Sequence, residues 1–123
     1  MEPGADIVVE RTLPIDGALL GDVLLRLRRD APGAIVHWTL GEYGTAELDV
    51  NFTSFGPAWH ASARLWERDP LALENVEVEL ARVADDTVQL RCHAHADVPS
   101  LVRALADELA EELLWHAAHA GVS

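Results

Sequence analysis

The chain has 123 residues, 9 basic against 21 acidic side chains, a net charge of −12 and one cysteine, Cys92. That length suits one domain, residues 1–123, around a single hydrophobic core. The charge repels phosphate backbones and anionic headgroups and argues against nucleic acid and membrane as partners. A lone cysteine excludes an intrachain disulfide and a Cys-rich metal site, and it suits a reducing, cytoplasmic compartment. All nine basic residues are arginine, so Schiff-base chemistry and lysine-dependent phosphate loops are excluded. The opening MEPGADIVVE has no basic segment leading into an apolar run, and nowhere do about 18 apolar residues follow one another. The expectation is a protein neither exported nor membrane-spanning.

Residues 6–13, DIVVERTL, read as a short strand that ends at Pro14, since proline cannot donate to a ladder. In residues 15–30, IDGALLGDVLLRLRRD, Leu19, Leu20, Val23, Leu24 and Leu27 recur at helical spacing. Asp16 can cap the start of that helix, and arginines crowd its last turn. Ala31-Pro32-Gly33 ends it.

The pattern then changes to period two. AIVHWTL (34–40), TAELDVNF (45–52) and AWHASARLW (58–66) are separated by the turn segments GEYG and SFGP, which predicts an antiparallel meander. In the second of these, Ala46, Leu48, Val50 and Phe52 share one face while Glu47, Asp49 and Asn51 share the other, as in a sheet wetted on one side. RDPLALEN (68–75) is the longest irregular connection and the expected mobile element. NVEVELARV and TVQLRCHAHAD form a hairpin around Ala84-Asp85-Asp86. If their apolar faces coincide, Glu77 faces His93 and Glu79 faces Arg91, which requires a three-residue loop or a bulge. Asp97 or Ser100 can cap a final helix that has Pro99 in its first turn and Val102, Leu105, Leu109 and Leu113 as its buried stripe.

The fold class is therefore α+β: a curved antiparallel sheet of about six strands gripping a long C-terminal helix, in the order β-α-β-β-β-β-β-α. That order, with the closing VEVELARVADDTVQLRCHAHADVPSLVRALADELAEEL, resembles the START/SRPBCC helix-grip superfamily in a compact variant. The resemblance rests on element order and implies a sheet wrapped around the last helix with space for an apolar ligand. It carries no catalytic motif over to this chain, which also has one helix where the family has a pair.

Six histidines offer metal ligands. His93 and His95 point to one strand face with Glu77 opposite, and His116 and His119 lie three apart on the last helix. The strand pair is on the polar face, where a Glu–His pair is ordinary complementarity, and the helix pair sits where the dipole favours a cation. All four are read as solvated surface, with no metal and no cofactor. The opposite side offers Ala61 and Ala63 on one strand and Ala94 and Ala96 on another, an alanine floor flanked by Trp38, Phe52 and Trp59, with Tyr43 near it. With Leu105 and Leu109 these residues make the candidate ligand-binding set, in a cavity between sheet and C-terminal helix. Arg11 shares parity with Ile7 and Val9 and is expected at the strand end with its head in water. Trp66 has the opposite parity to Trp59, and Trp115 lies outside the helix stripe, so both are candidates for an interface. No G-x-S-x-G elbow is present, Cys92 is expected to be an inert inward thiol, and no carboxylate is placed for acid–base work.

The leading functional reading is a non-catalytic binding domain for a neutral apolar small molecule. The alternative is a protein–protein interaction or homodimerisation module with a filled core, acting through Trp66 or Trp115. A cyclase-like enzyme comes third.

Overall fold

The computed structural model describes residues 6–39, 44–55, 58–67, 73–95 and 99–120, without the side chains of Asp6, Pro32, Phe55, Trp66, Glu67, Leu73, Glu74, His95, Pro99, Ser100 and Ala120. The strands are β1 (Asp6–Leu13), β2 (Ile35–Thr39), β3 (Gly44–Asp49), β4 (Thr53–Phe55), β5 (Ala58–Glu67), β6 (Leu73–Ala84) and β7 (Thr87–His95). The helices are α1 (Leu20–Asp30) and α2 (Pro99–Ala120). The strands form one open antiparallel sheet in the order β1-β7-β6-β5-β3-β2, with β4 paired to β5. This is the expected α+β architecture with a long C-terminal helix.

The β6–β7 register pairs Glu77 with His93 and Glu79 with Arg91, as the coincidence of apolar faces requires, and a bulge between Arg82 and Ala84 absorbs the odd residue. Along the buried face run Val9 and Leu13 of β1, Val88, Leu90, Cys92 and Ala94 of β7, Val76, Val78 and Leu80 of β6, and Ala63 and Leu65 of β5. Two helices cover this face. α2 packs on β1 and β7 and alongside α1. From α2, Leu101, Val102, Leu105, Ala106, Leu109 and Leu113 are buried, and α1 adds Leu20, Val23, Leu24 and Leu27 to the same core.

Three local readings are corrected. Residues 17–19 form a 3-10 turn ahead of α1, capped by the Asp16 carboxylate, which accepts from Ala18 N at 2.8 Å. The strand expected over 45–52 stops at Asp49, because its carboxylate accepts from the backbone and side-chain nitrogens of Asn51 at 2.9 and 3.0 Å, and such an Asx turn pulls the chain off the ladder. Val50 N donates to Ala34 O at 3.0 Å, and the chain rejoins β5 only at Thr53, with β4 running on through Ser54 and Phe55 of the expected SFGP turn. Finally, β6 starts at Leu73, within the expected connection 68–75, whose residues 68–72 lie outside the described set.

At the α1–β2 junction Gly33 (φ 67°) and Ala34 (φ 61°) are both left-handed, and they turn the chain between Ala31 and Ile35. Glycine takes that conformation freely; Ala34 does so at a strain cost of about 1 kcal/mol. Among the described residues no helix is long and apolar enough to cross a membrane.

Candidate functional site

The described members of the candidate ligand-binding set divide between the core and its margin. Ala63, Ala94, Leu105 and Leu109 are 0–2% exposed and belong to the packed core between sheet and helices. Trp38, Phe52, Trp59 and Ala61 are half-buried at its margin. Ala96 and Tyr43 lie outside the described residues. Ala63 and Ala94 thus belong to a core to which both α1 and α2 contribute leucines.

Phe52 and Trp59 do come together, with α1 and not with α2. They border an open groove of about 310 Å³ whose opposite wall is the Gly21, Leu24, Leu25 and Arg28 face of α1. Those four recur at i, i+3, i+4 and i+7, so one helical stripe supplies that whole wall. Leu25 is 53% exposed there, and a β-carbon added at Gly21 would meet nothing within 4 Å.

A second concavity, about 420 Å³, lies where the end of α1 meets α2, and it is lined by Asp30, Glu108, Glu111, Glu112, Trp115 and His116. Here the surface reading of the histidines is corrected. His116 is 4% exposed, with Nδ1 3.9 Å from Asp30 and Nε2 3.6 Å from Glu112. The signal was present in the sequence: Val102, Leu105, Leu109 and Leu113 are spaced by three and four, and His116 continues that stripe. Trp115, one residue off the stripe, is 56% exposed beside Leu114. Its ring stacks on His119 with centroids 4.1 Å apart, and His119 Nδ1 donates to the Trp115 carbonyl at 2.7 Å. The side chain of the other candidate interface residue, Trp66, is not among those described.

The open face of the sheet sets basic side chains beside carboxylates across neighbouring strands: His37 with Glu47 at 3.3 Å, His60 with Glu79 at 3.9 Å, His93 with Glu77 at 3.6 Å and Arg91 with Glu10 at 3.7 Å. His95, the expected neighbour of His93, has no described side chain. Among the described residues no group of three or more His, Cys, Asp or Glu is placed to hold a metal ion.

Arg11 has the inward parity expected of it, and its head, on a side chain 35% exposed, also reaches α2. Its Nε donates to Asp107 Oδ1 on α2 at 2.9 Å. Cys92 is fully buried; desolvation pushes its thiol from 9.0 up to about 12, with the Arg11 charge opposing the shift only in part. A neutral, buried thiol is neither nucleophile nor metal ligand.

Fold and site together define a two-helix α+β architecture whose described apolar residues form one core, with concavities at the α1–Trp59 groove and at the end of α1 against α2. No protein-family model and no curated protein matches the chain. Its fold is similar to that of the hypothetical protein jhp0584 from Helicobacter pylori, known from a 1.88 Å crystal structure, with a TM-score of 0.54 and 14% identity over 94% of this chain and 89% of that one.

Proposed function

We propose that this chain is a non-catalytic, cytoplasmic binding domain, a compact relative of the START/SRPBCC helix-grip proteins, that receives a basic polypeptide segment at the C-terminal end of α2. The observation that carries this is Trp115, more than half exposed and seated among Asp30, Glu108, Glu111 and Glu112. An exposed tryptophan offers a large, rigid contact area and an electron-rich face for arginine or lysine, and the surrounding carboxylates complement those cations. A net charge of −12 steers basic partners inward and opposes self-association through the same surface. The filled core supports a function on the surface.

The test is an amide-resolved titration with an amphipathic peptide of alternating leucine and arginine, against a glycine–arginine peptide of equal charge. Shifts concentrated at residues 108–119, and at least about tenfold weaker binding in Trp115→Ala, are expected for a buried aromatic anchor. Equal binding of both peptides, spread over every acidic face, would reduce the effect to bulk charge. A concentration-dependent dimer lost in Trp115→Ala would replace the basic partner with a second copy of the chain.

A second reading, an apolar small-molecule site, is favoured by one observation: Phe52 and Trp59 meet at a groove of about 310 Å³, at the lower end of ligand-sized pockets. The site then lies on α1 and not between the sheet and α2.

A further inference from the structure

Resting on that second reading, we propose that the groove between α1 and Trp59 takes an amphipathic carboxylate, an aromatic or branched aliphatic acid, with Arg28 as its anchor. Leu24, Leu25, Phe52 and Trp59 present apolar surface, and the one charged side chain lining the groove among the described residues is Arg28. Three of the other arginines are engaged, Arg11 with Asp107, Arg82 with Asp85 and Arg91 with Glu10, and what sets Arg28 apart from the remaining unpaired ones is its place in this groove. The Arg28 guanidinium has no ion pair or hydrogen bond to a described residue, so its fork of donors is free for a planar, bidentate acceptor. Arg28 follows Leu24 and Leu25 by four and three residues on the same helix, so cation and apolar wall are held by one rigid element. The distribution fits a ligand with one apolar body and one anionic end.

The net charge of −12 works against any anion. Selectivity therefore rests on the direct contact with Arg28 and on burial of the apolar body against Trp59 and Phe52. A ligand with charge but no apolar body gains nothing from the groove, and a neutral one leaves Arg28 unused.

Gly21 supplies a clean control. It lines the groove, and a side chain there enters open space, so Gly21→Leu occludes the site while raising helix propensity. Arg28→Gln removes the anchor and keeps the wall. The probes are 2-naphthylacetate and its neutral isostere 2-naphthylacetamide, followed by calorimetry at low salt and by amide shifts at residues 21–28 and 50–59. The acid is expected to bind about tenfold more tightly than the amide, as a charge-assisted bond implies. Arg28→Gln should abolish that preference, and Gly21→Leu should abolish binding of both. Equal binding of acid and amide to the unaltered protein would overturn the carboxylate assignment while leaving the groove an apolar site. Binding of neither, or binding unaffected by Gly21→Leu, would overturn the groove itself.

Discussion

Arg11 on β1 and Asp107 on α2 are joined across the helix–sheet boundary, Nε to Oδ1, at 2.9 Å. The arginine occupies an inward position of its strand, opposite Leu90, so its stem lies along the apolar face while its head emerges between sheet and helix. The pairing removes Arg11 as a ligand anchor. With side chains 35% and 64% exposed, the pair is well screened, and a double-mutant cycle with Arg11→Met and Asp107→Asn is expected to give a coupling of about 0.2–1 kcal/mol, smaller at high salt. Denaturant melts measure it; a coupling well above that range would make the pair a principal tether of α2.

Leu109→Ala is expected to be among the most damaging single substitutions. Leu109 has no exposed surface and lies midway along the buried stripe of α2, so its truncation leaves a cavity that costs about 2–5 kcal/mol. Urea unfolding decides it. A loss below about 0.5 kcal/mol, the usual surface range, would contradict the packing of α2 on β1 and β7.

His116 and His119 should behave oppositely although three residues separate them. His116→Ala removes a ring that is 4% exposed and paired with Asp30 and Glu112, and a cost of about 1–3 kcal/mol is expected. His119→Ala removes an exposed ring stacked on Trp115 and should stay within about 0.5 kcal/mol. The same melts compare them, and equal small losses would place the His116 ring outside the core.

Cys92 should lower stability at alkaline pH. Its folded value of about 12 lies above its ordinary 9.0, so the unfolded chain releases this proton first. Its contribution is complete below pH 9.0 and is lost as pH rises from there towards 12. Thermal melts of the native chain and of Cys92→Ala between pH 8 and 10.5 should converge as pH rises. In the folded protein the thiol should also resist alkylation until denaturant is added. A constant difference across the range, or rapid native-state labelling, would show an accessible thiol.

Much of the fold was legible because it depends on local alternation. The period-two runs placed β2, β5, β6 and β7 to within a few residues, and requiring the apolar faces of the last two to coincide set their register and left a three-residue loop or a bulge, of which the structure has the bulge beside Val83. The spacing of leucines placed α1 and α2. Cys92 inside and Trp115 outside followed from parity and stripe. His116 is legible in the same stripe: the spacing that continues from Leu113 outweighs the tendency of a histidine near a helix C-terminus to be solvated.

The sequence by itself determined which residues share a face, because side-chain direction within a strand or helix is fixed by its own repeat. What the tertiary structure alone decided is which faces meet. Nothing local to residues 49–52 says that an Asx turn will detach them from β5 and bring Phe52 beside Trp59 and α1. Nor does α1 by its own pattern declare that it will join α2 in one core and leave Leu25 and Arg28 at the rim of a groove. Such contacts join segments far apart in the chain, and they form because burying both amphipathic helices on one sheet removes more apolar surface from water than burying one.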